Sequence, residues 1–235
     1  MPNDEFRFKQ FAVKQDRCAM KVGTDGVVLG AWANVEGAER ILDIGTGTGL
    51  LALMAAQRNA SARIDAIEID PDAADQAGEN FLASPWSDRL RVHNMDARRL
   101  HSGDMFDAIL CNPPYYAGEM DAVDARTTVA KHSAELSFLE LVGLVGGLLS
   151  DDGKFAVIVP VNRERELISG AGHLGLHLAR RTTLHYLTGR PAKRVLLEIV
   201  RVRGQAIESK LVVENEPGSF TQEYRALLAP FMLKF

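Results

Sequence analysis

Arg40-Ile41-Leu42-Asp43-Ile44-Gly45-Thr46-Gly47-Thr48-Gly49 is the stretch on which the fold is read. Its first half is a short apolar run broken by one acid, which reads as a buried strand. Its second half alternates glycine with threonine, which reads as a tight turn. Residues 50–58 then carry apolar side chains at helical spacing. The unit is strand, turn, helix, and it repeats from here along the chain. Strands are expected at 63–69, 90–93, 106–111 and 154–159, with helices at 72–83 and 134–149 between them. Pro71 suits the first turn of its helix. A helix at 163–173 and strands at 178–186 and 194–202 follow. The short Gly189-Arg190-Pro191 connection predicts that the last two strands pair antiparallel at an edge. Strands alternating with helices imply an α/β fold: a Rossmann-like, seven-stranded, mostly parallel sheet with one antiparallel edge strand and helices on both faces.

The 235 residues are enough for one large domain, and a composition of 46% hydrophobic and 25% charged residues is that of a soluble globular chain. Residues 36–235 read as that domain. Residues 1–35 read as an arm or lid ahead of it, with Thr24 or Asp25 able to cap a short helix. The apolar runs fall short of the roughly 18 residues of a membrane span, and the polar start has no signal-peptide core. A cytoplasmic protein without membrane contact is expected. Cys18 and Cys111 lack metal-ligand spacing, so no metal site is expected and both thiols are read as reduced. Charge is segregated. Residues 36–159 hold 10 Lys+Arg against 20 Asp+Glu, whereas residues 160–210 hold 10 against 4. A basic segment on an acidic chain suits either a nucleic-acid face or solvated element faces.

Four strand ends carry chemistry. At the first, Asp43 precedes Gly45, Gly47 and Gly49. A dinucleotide fingerprint needs a glycine where Leu50 stands. An acid followed by G-x-G-x-G suits a nucleoside sulfonium, with close backbone approach and no pyrophosphate to cradle. Asp43 can meet its cationic aminoacyl end. At the second, Glu68 offers two adjacent ribose hydroxyls a bidentate acceptor, while Asp70 more naturally opens the next helix. At the third, Asp96 can accept from an adenine amine or serve as a helix cap. At the fourth stands Asn112-Pro113-Pro114-Tyr115. Two prolines fix two φ angles and remove two donors, and Asn112, preceding proline, is held extended. This stiff tetrapeptide presents an amide, the Pro113 carbonyl and the Tyr115 ring to a planar group bearing an NH2. Ligands of open α/β sheets bind outside the carboxyl ends of the strands, so the four ends converge on one crevice.

This combination resembles the class I S-adenosylmethionine-dependent methyltransferases, and among them the amino-methyltransferases with an N-P-P-Y signature. Phe8-Lys9-Gln10-Phe11, the run from Asp16 to Gly26, and Ser84-Pro85-Trp86 are similar to the bacterial tRNA1(Val) adenine-37 N6-methyltransferases. The resemblance implies S-adenosyl-L-methionine as methyl donor and tRNA as partner, the methyl passing to the N6 of an adenosine. It implies that Asn112 and Pro113 accept the amine protons while Tyr115 stacks on a flipped base, with Tyr116 beside it. It also implies that Lys21, Gly23, Thr24 and Asp25 fold over the cofactor. Arg126, Lys131, Arg163, Arg165, Arg190, Lys193 and Arg194 are candidate phosphate contacts. His93, His101 and His132 are given no catalytic role. Methylation of ribosomal RNA bases, or of a release-factor glutamine, uses the same acceptor chemistry. The latter enzymes carry a larger helical N-terminal domain than the 40 residues found here.

Overall fold

A computed structural model describes residues 4–100, 103, 105–114 and 136–235. The chain opens with a hairpin, β1 (Glu5–Arg7) and β2 (Ala12–Lys14), followed by α1 (Thr24–Trp32). Then come β3 (Arg40–Ile44), α2 (Leu50–Arg58), β4 (Arg63–Glu68), α3 (Pro71–Leu82), β5 (Leu90–Asn94) and β6 (Phe106–Cys111). The second half runs α4 (Phe138–Leu148), β7 (Leu149–Pro160), α5 (Glu164–His173), β8 (His177–Leu187), β9 (Arg194–Val200), β10 (Ile207–Glu216), β11 (Ser219–Phe220) and α6 (Gln222–Leu228).

Among the described residues the main sheet has nine strands, in the order β11-β10-β8-β9-β7-β6-β3-β4-β5. The expected β8–β9 pairing is antiparallel, as the short connection required. Its position differs from the expectation. β9 lies inside the sheet, antiparallel to both β7 and β8, and β8 continues into a parallel pairing with β10. Val195, Leu196, Leu197 and Ile199 are all fully buried, so both faces of β9 are covered, and an edge would have left one row of its backbone groups unpaired. β10 gives no clear strand signal because its exposed positions are mostly polar. Only Leu211 and Val213 face inward, a thin alternation typical of an outer strand.

Alternation along the central strands divides the core between the two faces. Ile41, Ile64, Ala108 and Leu110 face one layer with α1 and α2. Leu42, Ile44, Ile67 and Ile109 face the other with α4 and α5. Residue 43 would belong with the first set, but it is an aspartate with no exposure. The sequence motifs of the arm pack into the first layer. Phe8 and Phe11 stack at 4.5 Å between ring centroids, and Phe11 meets the edge of Trp86 at 5.8 Å. The end of the chain closes over the hairpin, where Lys9 N donates to Phe231 O at 2.8 Å and Lys9 Nζ to Ala229 O at 2.6 Å. Phe231 is 1% exposed. Helix α1 begins at Thr24 after an extended Gly23, without a side-chain cap. The expected capping role of Thr24 or Asp25 is thus corrected: both side chains reach across to the C-terminal half instead. Asp70 caps α3 by accepting from Ala73 N at 3.0 Å, with Pro71 in the first turn, as the sequence implied.

Because the tail is part of the core, Phe231→Ala is expected to cost about 3–5 kcal/mol in urea unfolding. A loss below about 1 kcal/mol would show the tail to be peripheral.

Candidate active site

The glycine turn is held from below and from the side. Asp43 Oδ2 accepts from Thr46 Oγ1 at 2.5 Å and from Ala52 N at 3.2 Å, tying the turn to the first residues of α2. Gly45 N and Thr46 N both donate to Ile67 O, and Gly47 N donates to Glu68 Oε2 at 2.8 Å. Gly45, Gly47 and Gly49 have φ of 70°, 55° and 85°. Gly49 is doubly constrained, because a Cβ there would also meet Phe81 Cε1 at 2.5 Å. Asp43 Oδ1 is buried without a hydrogen-bond partner among the described residues. Burial pushes the Asp43 carboxyl up to about 7, against the opposing hydrogen bonds from Thr46 and Ala52.

Glu68 bridges two turns: its second oxygen, Oε1, accepts from Asp70 N at 3.0 Å. Asp96 is committed locally. It caps a single 3-10 turn through Arg98 N and pairs with the Arg98 guanidinium at 2.8 Å, which holds its carboxyl below the usual range. His93 is bonded to Asp65 at 2.8 Å, a contact within the sheet.

A cavity of about 410 Å³ opens above these strand ends. It is lined by residues 20–26, by Gly45–Thr48, Leu50 and Leu51, and by Asn112, Tyr186 and Arg194. Lys21, Thr24, Gly45, Gly47 and Asn112 are therefore brought together. Asp43 lies beneath this cavity, and Gly49, Glu68, Asp96 and Pro113 are outside its lining. Pro113 is buried beside Asn112. Gly26 lets α1 approach: a Cβ there would lie 2.9 Å from Leu50 Cδ2 and 3.8 Å from Asn112 Nδ2. Tyr115, Tyr116, Arg126, Lys131, His101 and His132 lie outside the described residues.

Tyr186 and Asp25 join the site in ways that sequence reasoning did not assign. Tyr186 OH donates to Asp25 Oδ1, and Arg194 Nε donates to Asp25 Oδ2 at 2.9 Å. The Thr24 side chain faces the phenol of Tyr224 on α6, where it opposes the rise that burial gives that hydroxyl. The N-terminus of α1 is thereby tied to β8, β9 and α6. A single acid 161 residues from its tyrosine partner leaves no trace in local sequence patterns.

The chain as a whole is similar to known proteins. The family model for the methyltransferase small domain matches residues 27–140. A tRNA1(Val) (adenine(37)-N6)-methyltransferase of Phocaeicola vulgatus is 45% identical over 99% of each chain, and one of Trichodesmium erythraeum is 43% identical over all of both. The chain belongs to this methyltransferase family. The family's fold extends to distant structures. One described as a predicted O-methyltransferase of Agrobacterium tumefaciens has TM-score 0.66 at 20% identity, covering 88% of this chain and 96% of that one. A ribosomal protein L11 methylase of Lactobacillus delbrueckii has TM-score 0.57 at 16% identity, covering 81% and 84%. The class I methyltransferase architecture is thus shared.

The raised Asp43 carboxyl has a defined pH signature. A folded pKa of about 7 lies above the ordinary value near 4, so the native state binds the proton more tightly. The resulting penalty is absent below about pH 4, grows as pH rises and is complete above about 7. The melting temperature should lose this contribution between those values. Asp43→Asn, read by thermal melts across pH 4–8, should flatten that limb; an unchanged slope would exclude Asp43 as its source.

Proposed function

We propose that this chain transfers a methyl group from S-adenosyl-L-methionine to the exocyclic N6 of an adenosine in tRNA, with adenosine 37 of tRNA1(Val) as target. One observation carries the reading: Asn112, at the end of β6, lines the same cavity as the glycine turn after β3. The donor supplies an activated methyl group. The residues present suit it. The positive-φ glycines offer backbone without side chains, Glu68 stands at the neighbouring strand end as the ribose acceptor, and a 410 Å³ cavity is of ligand size. Lys21 and Thr24 cover the methionine end. Asp43 acts through the turn it holds, and Asp96, although paired with Arg98, stands at the end of β5 where the adenine amine is expected.

An adenine amine is a weak nucleophile because its lone pair is delocalised into the ring. Asn112 Oδ1 and the Pro113 carbonyl accept its two N–H bonds, localising the pair toward the methyl group. Tyr115 holds the flipped base by stacking. Buried Pro113 and the α1 backbone at Gly26 restrict how Asn112 can move. Positioning of this kind is worth up to roughly 7–11 kcal/mol. The amine becomes acidic once methylated, so its proton passes to water without a dedicated base.

The test is methyl transfer from labelled donor to RNA of a strain lacking the gene, followed by nucleoside mass spectrometry. Label in N6-methyladenosine of tRNA is expected; label in ribosomal RNA or in glutamine of protein overturns the reading. Asn112→Ala should lower transfer by about 10²-fold or more. The same variant should keep the rise in melting temperature that saturating donor produces by linkage. Loss of that rise would place Asn112 in cofactor binding instead.

A further inference from the structure

The basic segment divides into cations that are spent inside the fold and cations that are not. Arg180 lies over the Trp32 ring at 3.7 Å and pairs with Glu198 at 2.8 Å. Arg181 pairs with Glu164 at 2.5 Å, Arg163 with Glu166 at 2.7 Å, and Arg194 with Asp25 at 2.9 Å. Arg201 donates to the carbonyls of Gly146 and Leu149. Arg203, beyond the end of β9, and Lys210, within β10, are exposed and unpaired among the described residues, and so are Arg165, Arg190 and Lys193.

These three sit at one place. β7 and β8 both run antiparallel to β9, so both end on the edge of the sheet where Asn112 and the glycine turn lie. The turn from Thr188 to Lys193 joins Tyr186 to Arg194, two residues that line the cavity. Arg190 and Lys193 therefore stand at its mouth. The turn is also rigid. Arg190 N donates to Leu187 O, Lys193 N to Leu184 O, and Thr188 N to Glu214 O. His185 Nδ1 bonds Arg190 O at 2.8 Å, and Val161 N donates to Lys193 O. α5 starts from the same edge and carries Arg165 in its first turn. Holding unpaired cations on a braced turn stabilises nothing visible in the fold.

We propose that Arg190 and Lys193, flanked by Arg165, form a phosphate-docking rim that seats the RNA backbone beside the methyl-transfer cavity. The inference rests on the RNA-methylating reading above and adds where its substrate is held. Ion-paired Arg163 and Arg194, with the same charge and neighbouring positions, are assigned to architecture. The surplus of acids over residues 36–159 disfavours phosphate contact along that segment.

The test is binding of unmodified tRNA from the deletion strain to the full chain at several salt concentrations. The Arg190→Ala/Lys193→Ala double variant should bind at least about tenfold more weakly. The slope of log K against log salt should become shallower by about 0.9 per lost phosphate contact, so by up to about 2. Transfer at saturating RNA and the melting shift with S-adenosylmethionine should be unchanged. Arg190→Lys should keep most of the affinity, because it keeps the charge. Arg91→Ala/Arg203→Ala removes two exposed cations, one on the β5 edge and one beyond the far end of β9, and should leave the affinity and the slope as they are. Unchanged affinity and slope in the first pair, or an equal loss in the second, overturns the docking rim. Wild-type protein that fails to label tRNA overturns the methyl-transfer reading itself, so the two failures are separable.

Discussion

Three parallel strands, β4, β3 and β6, pair so that Ile67, Ile44 and Cys111 stand opposite one another. One residue further along each strand are Glu68, Gly45 and Asn112, which therefore emerge at the same level from neighbouring strands. Parallel hydrogen bonding gives no freedom here, because a slip of one residue would turn every side chain to the other face and put Leu42 and Ile41 in each other's layers. The same register that fills both cores thus sets the glycine turn, a carboxylate and an amide side by side. The site depends on the hydrophobic pattern beneath it, and the pairing of these strands fixes the core and the strand ends together.

Above that frame the turn itself is held by groups that cost stability. Asp43 is a carboxylate in the middle of the sheet, with one oxygen in two hydrogen bonds and the other in none. An apolar residue would suit the layer better. What the acid provides is a link between the turn and the first residues of α2, so that the glycines keep their left-handed φ without side chains to hold them. Glu68 does the same from the next strand through Gly47 N. With its other oxygen it accepts from Asp70 N, so one carboxylate braces the glycine turn and the start of α3 together.

The C-terminal half closes the site from the far side. β9 enters the sheet antiparallel, which brings Arg194 back to the edge where Pro160 ends β7. Tyr186 arrives beside it on β8. Both meet Asp25, and Thr24 faces Tyr224, so the segment lining the cavity is anchored to two strands and a helix more than 150 residues away in sequence. The charges this consumes explain why the basic segment is less available than its composition suggests, and why the few cations left over stand out.

Much of this was present in local sequence. Strand, turn and helix followed from apolar period and glycine placement at 40–58, and the cap of α3 from Asp70-Pro71. The end of β6 at Asn112-Pro113-Pro114 was legible as well, because two prolines constrain backbone whatever surrounds them. Each of these is decided within a few residues, by sterics and by nearest hydrogen bonds. The nine-strand sheet, the interior place of β9 and the role of Asp25 were not legible, whereas the helix-cap reading of Asp96 was. Whether a strand lies inside or at an edge depends on which other strands reach it. Whether an acid binds a ligand or an arginine depends on which cation the fold brings within 3 Å. The sequence by itself determined the elements and the chemical groups at their ends; tertiary structure decided which of those groups were left to act, because partners distant in the chain compete for the same hydrogen bonds.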